Sequence, residues 1–214
     1  MKRQLKIAIS GIASGILISI GGIIFLSLKA TNPIVGSLLF AFGLSTIILL
    51  SLYLYTGKIG YVFDNKKGYL LDLASCLVGN LIGAVGTGYL LRLILLTDDT
   101  RFNNLFETGK TVSETKLNSS WLTILIMAIF CGIMIYLAVE ISKRDVHPVF
   151  KLVSVFVAIS VFILAGFEHC IADMFYFSVG NAWNLKAILY ILLIIFGNSL
   201  GSILFSFLVK GSKL

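Results

Sequence analysis

Apolar residues run along this chain in long blocks, and polar residues mark where the blocks stop. Blocks at 5–28, 34–54, 69–96, 121–141, 149–180 and 185–209 each reach or exceed the roughly 20 residues an α-helix needs to cross a bilayer core. Short polar links separate them: Lys29 to Pro33, Asp64 to Gly68, Ser142 to Pro148 and Asn181 to Asn184. The longest polar stretch, 97–120, carries Asp98, Asp99, Arg101, Glu107, Lys110, Glu114 and Lys116 and is expected to be a loop. The short alternating segments of a transmembrane β-barrel are not the pattern here. The expected fold is therefore an all-α membrane protein with six transmembrane helices.

Two of the six blocks are interrupted. In the second, Tyr55-Thr56-Gly57-Lys58-Ile59-Gly60 arrives before the apolar run is finished, because Tyr61, Val62 and Phe63 come after it. In the fifth, 162–173 reads Phe-Ile-Leu-Ala-Gly-Phe-Glu-His-Cys-Ile-Ala-Asp, with apolar residues on both sides. An ionisable group at the centre of a lipid-crossing helix costs several kcal/mol unless it faces protein or water. Glu168, His169 and Asp173 therefore predict a broken helix or a polar cavity. Freed backbone groups are tolerated at that depth only where protein or a water-filled cavity receives them.

A Gly-Asn-x-x-Gly segment occurs twice, as Gly79-Asn80-Leu81-Ile82-Gly83 in the third block and Gly197-Asn198-Ser199-Leu200-Gly201 in the sixth. Each comes after an interrupted block. The pattern predicts one domain over 1–214, built of two three-helix repeats at about 5–96 and 121–209 with an outer loop at about 97–120. Because three is odd, the second repeat is inverted, an architecture that places a pathway near the midplane between repeats.

Composition narrows the class. The chain has 214 residues, of which 58% are hydrophobic and 13% charged, with a mean hydropathy of +1.00. A soluble domain carries about 25% charged residues. The net charge of +7 reads as the cationic bias of cytoplasmic loops, since no basic patch interleaved with exposed aromatics points to nucleic acid. With six spans both termini share a side with Lys2, Arg3, Lys6, Lys66, Lys67, Lys143, Arg144, Lys151, Lys210 and Lys213, against Lys29, Arg101, Lys110, Lys116 and Lys186 opposite. Both ends are expected in the cytoplasm, with the chain in the cell's inner membrane. The basic start continues as an apolar run to Leu28, longer than a signal-peptide core, so it reads as a retained first span. Cys76, Cys131 and Cys170 lie far apart in apolar sequence without metal spacing and read as small buried side chains. No metal or cofactor is expected. No H-E-x-x-H or Ser/His pattern is evident, so an enzyme is not expected either.

Candidate chemistry centres on His169, which titrates near neutral pH in its ordinary state. Glu168, adjacent in sequence, points elsewhere and is expected to tie down freed backbone amides. Asp173 either holds the His169 ring or caps the second half-helix. The Thr56 hydroxyl both donates and accepts, so it can serve exposed backbone or His169. Lys116 is either a solvated loop cation or an attractor of anions at an entrance. Phe40, Leu44, Leu54, Tyr55 and Phe162 are bulky residues on the broken spans, either packing or apolar constrictions that exclude hydrated ions. A neutral-solute channel of aquaporin type is the alternative; it lacks support in that Asn32-Pro33 is the one Asn-Pro pair and no Asn-Pro-Ala box is present.

Residues 166–175, Gly-Phe-Glu-His-Cys-Ile-Ala-Asp-Met-Phe, resemble the G-F-E-H-S-x-A-N-M signature of formate/nitrite transporters. Leu54-Tyr55-Thr56-Gly57 resembles their L-F-T-x loop, and the two Gly-Asn-x-x-Gly segments resemble theirs. The resemblance covers nearly the whole chain. It implies an aquaporin-like protomer with helices two and five broken, a homopentamer with one pore per protomer, and passage of formate, nitrite or hydrosulfide together with protons. It implies a central pore histidine at His169, a threonine bonded to it at Thr56, a vestibule lysine at Lys116, an outer constriction at Phe40 and Phe162, and an inner one at Leu44, Leu54 and Tyr55. Tyr55 stands for the usual Phe, Asp173 for Asn, and Gly132 where Asn is common. The first span starts within a few residues of Met1, so no counterpart of the family's amphipathic N-terminal helix is expected ahead of it and gating by that helix is not carried over.

Overall fold

A computed structural model describes residues 2–212 and is all-helical among them; Lys213, counted above with the tail cations, lies outside. The helices are α1 (Arg3–Leu28), α2 (Pro33–Leu49), α3 (Tyr55–Lys58), α4 (Tyr69–Arg92), α5 (Asn103–Asn118), α6 (Trp121–Ser142), α7 (Pro148–Leu164), α8 (Cys170–Val179) and α9 (Leu185–Gly211). Short 3-10 turns continue α3 over Ile59–Asp64 and α4 over Leu93–Leu96. Four helical stretches, Arg3–Leu28, Tyr69–Leu96, Trp121–Ser142 and Leu185–Gly211, are long and apolar enough to cross a bilayer.

Local chemistry sets the starts. The Asn32 side chain accepts from the Val35 N–H at 3.1 Å ahead of Pro33, Ser120 accepts from Thr123, and Asn184 accepts from Ala187 at 2.9 Å. Each satisfies one of the amides that a helix N-terminus leaves unpaired.

The repeated glycines set the packing. A methyl group on Gly83 would lie 2.2 Å from the Ile12 carbonyl oxygen, and one on Gly201 would lie 2.0 Å from that of Ile129. Only residues without a Cβ allow α1 to lie this close to α4, and α6 to α9, as in lipid-embedded helix pairs. The outward faces stay apolar: Leu49, Leu96 and Leu185 are 73–83% exposed.

Two expectations are corrected. The stretch 97–120 is not a loop. Thr100–Phe102 makes a 3-10 turn, and α5 fills most of the rest, burying Leu105, Phe106, Gly109, Val112 and Ser113. Its apolar positions recur at helical spacing inside a polar composition, which the block pattern hides. The first interruption also falls earlier than expected. α2 ends at Leu49, so the break is 50–54, and Thr56 belongs to the restarted helix.

Candidate functional site

The two breaks use the same parts. After α2, Ser51 takes φ +54°, its N–H donates to the Ile48 carbonyl at 3.1 Å, and the Leu52 N–H donates to that of Ile47 at 2.9 Å. After α7, Gly166 takes φ +71°, its N–H donates to Ile163 at 3.1 Å, and the Phe167 N–H donates to Phe162 at 3.0 Å. Both are Schellman endings, which satisfy the last helical carbonyls by turning one residue into the left-handed region. The chain then runs extended and restarts as α3 and α8.

Each restart is held by a buried asparagine. Asn80 Oδ1 accepts from the Tyr55 N–H at 2.9 Å, while its Nδ2 donates to the carbonyls of Gly11 at 2.9 Å and Tyr53 at 3.1 Å. Asn198 Oδ1 accepts from the Cys170 N–H at 3.0 Å, while its Nδ2 donates to Ala128 and Glu168 at 2.8 Å each. Both asparagines are fully buried. A carboxamide can accept and donate at once, which freed backbone on both sides of a break requires. The expectation that Glu168 ties down freed amides is thus corrected: the asparagines do it.

His169 is the N-cap of α8 and is 1% exposed. Its Nδ1 accepts from the Ala172 N–H at 3.2 Å, so the remaining proton sits on Nε2, which donates to Thr56 Oγ1 at 2.9 Å. Both ring nitrogens of a neutral imidazole are thereby used. The Phe162 ring stacks on the imidazole at 5.9 Å, and Phe40 meets Phe162 edge-on at 6.1 Å.

The acids face α5 instead of the ring. Lys116 Nζ contacts Glu168 Oε2 and Asp173 Oδ1, the latter at 2.9 Å, and all three side chains are nearly buried. Asp173 therefore neither holds the ring nor caps α8; the imidazole caps it. Lys116 is no solvated loop cation either. Among the described residues Asp173 Oδ2 and the Tyr176 hydroxyl are buried and meet no hydrogen-bond partner.

Two cavities approach this centre. One of about 190 Å³ is lined by Phe25, Lys29, Lys116, Glu168 and Tyr176 among others. The other, about 280 Å³, is lined by Leu44, Leu54, Gly57, Lys58 and Lys143 among others. Sequence reasoning did not single out Lys58 or Lys143 for this site. Lys58 stands two residues after Thr56, which was the available signal. Tyr55 turns its hydroxyl to Ser199 Oγ at 2.9 Å.

A sequence profile described as "Formate/nitrite transporter" matches residues 1–212. The chain belongs to the formate/nitrite transporter family. It is 24% identical over 193 residues to the formate channel FocA of Haemophilus influenzae, covering 84% of this chain and 68% of that one. It is 23% identical over 192 residues to the formate channel FocB of Escherichia coli, covering 81% and 66%. The chain thus spans about two thirds of the length of these relatives. Among solved structures, a pentameric formate channel with formate bound superposes with a TM-score of 0.76 at 19% identity, over 97% of this chain and 94% of that one. An ion channel of the same family superposes at 0.83 with 21% identity, over 99% and 91%.

The departures from the family signature have local reasons. At Gly132 a Cβ would lie 2.2 Å from the Asn198 carbonyl oxygen, so this helix pair has no room for an asparagine. The extra hydroxyl of Tyr55 is met by Ser199. Asp173 gives this family member two carboxylates on one ammonium.

Proposed function

We propose that this protein is a channel for small monovalent anions of weak acids, such as formate, nitrite or hydrosulfide, with passage linked to a proton through His169. One observation carries the reading: a buried imidazole suspended between two half-helices, bonded to Thr56, with cavities approaching from two sides. The likeness to formate channels supports the substrate class. On this reading the domain is an aquaporin-like protomer of two inverted three-helix repeats, 5–96 and 121–209. It assembles as a pentamer in the inner membrane, with the Arg3 and Lys210 ends cytoplasmic. Phe40 and Phe162 narrow one side of the centre, and Leu44, Leu54 and Tyr55 the other. Lys116 stands with Glu168 and Asp173 at the wall of the outer cavity.

A bare anion in such a slit loses its hydration, at a cost of many kcal/mol, whereas the neutral acid crosses readily. In the resting arrangement the ring is neutral. As an anion arrives, its charge favours an imidazolium: Nδ1 releases the Ala172 amide and takes a proton from the water that enters with the anion. The imidazolium, directly or through one water, then gives a proton to the anion. The neutral acid passes the apolar rings and the imidazole returns to its neutral form. The proton then either leaves the acid on the far side or travels on with it.

Flux assays in proteoliposomes with formate, nitrite, hydrosulfide and lactate at two pH values test this reading. His169→Phe is expected to abolish proton-linked flux while the folded assembly survives in detergent. Unchanged flux with unchanged pH dependence would refute the role of His169.

A further inference from the structure

The two cavities differ in their charge. In the smaller one Lys29 and Lys116 face Glu168, and Lys116 is paired with Glu168 and also with Asp173 outside the lining. The larger one is lined by Lys58 and Lys143 and by no acid; Ser51, Ser142 and Gly57 add small residues, and Leu44, Ile47, Leu54 and Val139 form an apolar wall. The nearest carboxylates are engaged elsewhere: Glu140 with Arg144 at 2.7 Å and with the Tyr61 hydroxyl at 3.0 Å, Asp64 with Lys210. Among the described residues neither Lys58 nor Lys143 forms an ion pair. Their ammonium groups rest on tyrosine rings, Lys58 at 5.0 Å from Tyr53 and Lys143 at 3.3 Å from Tyr61. Burial pushes the Lys143 ammonium below its ordinary range, and Lys58 and Lys210 push the same way against Glu140 and Asp64.

We propose that Lys58 and Lys143, with the Ser51 hydroxyl, form a binding site for a small monovalent carboxylate or oxyanion at this mouth, the one beside Asp64 and Lys210. Two unpaired cations at the rim of a concave, apolar-backed recess concentrate anions where lysines already matched by acids do not. The ammonium groups leave their aromatic faces for the anion, exchanging a cation–π contact for a charge-assisted hydrogen bond. The anion so held lies against Leu44 and Leu54, which makes this the mouth from which a channel of this build loads best. The binding step stands on the cavity alone; the loading step rests on the function proposed above.

The test uses formate as the probe. In detergent-solubilised protein, 13C-formate line broadening reports binding, and Lys58→Gln with Lys143→Gln is expected to weaken it at least tenfold. In right-side-out and inside-out vesicles, the double variant should raise the formate concentration for half-maximal flux from the Asp64–Lys210 face by a similar factor. The value from the opposite face should stay unchanged. Lys58→Arg with Lys143→Arg keeps the charges and should behave as wild type, which also answers a folding defect in the glutamine pair. Unchanged binding, or an equal change from both faces, overturns the site. So does an effect that disappears in purely zwitterionic lipid, which would assign the lysines to an anionic headgroup. Wild-type protein that binds formate through these lysines but conducts none of the anions overturns the transport reading and leaves the site standing.

Discussion

At the first break a serine, Ser51, occupies the left-handed position that Gly166 occupies at the second. Around them the helix-ending backbone bonds and the asparagine clamp correspond bond for bond, while in the extended entry the Tyr53 N–H donates to Ser10 Oγ where the Glu168 N–H donates to the Met127 carbonyl. The helices beyond the breaks differ. The first restart is four residues of helix, Tyr55–Lys58, passing into a 3-10 turn; the second is ten residues, Cys170–Val179, every one of them buried. The first brings two hydroxyls and a lysine; the second is capped by an imidazole and carries Asp173, with Glu168 just ahead of it. One solution to the problem of a helix ending in lipid can therefore carry unlike chemistry, because the backbone is satisfied by the asparagines and the side chains of the restarts are left free.

The asparagines are the place to break the comparison. Asn198→Leu and Asn80→Leu each strip a buried N–H and two carbonyls of a partner, at about 1–3 kcal/mol per unsatisfied group. Both variants are expected to lose several kcal/mol of stability, read as a collapse of the folded peak in detergent. A large loss at one site only would show that the breaks are not equivalent.

The left-handed residues sharpen it with smaller effects. Nothing lies within 4 Å of where a Cβ would stand on Gly166, so Gly166→Ala costs only its conformation, about 1–2 kcal/mol. Ser51→Gly relieves the corresponding strain and should shift stability by less, in the opposite direction. Thermal unfolding of the two variants measures both signs.

The smallest effect belongs to a pair tied to neither break and serves as the reference for both. Arg101, through its side chain and then its backbone N–H, holds the Asp99 carboxyl down to about 2. A depressed folded-state value means that the pair's contribution is present above the ordinary carboxylate range and fades as pH falls through about 2. Arg101→Gln removes the side-chain contribution and leaves the backbone N–H in place, so a carboxyl NMR titration should show Asp99 rising only part of the way to the ordinary range, with thermal stability at neutral pH almost unchanged, since exposed pairs contribute little.

The block pattern alone determined that this is a membrane protein of long helices, because only sustained apolar length pairs the backbone with itself inside lipid. The Glu168-His169 motif marked one helix break, and Thr56-Gly57-Lys58 pointed a few residues late to the other, since charge and glycine are visible in one dimension. Contacts between distant segments were not visible. That Asn80 reaches Gly11 and Tyr53, that Thr56 meets His169, and that Lys116 takes both acids depends on how helices from different parts of the chain pack. The amphipathic α5 was hidden by its polar composition, and the unpaired state of Lys58 and Lys143 by the absence of any local sign of where Glu140 and Asp64 would turn. The order of residues fixes what each element is made of, and only the packed helices decide which charges meet, because pairing is a matter of ångströms between elements and not of spacing along one.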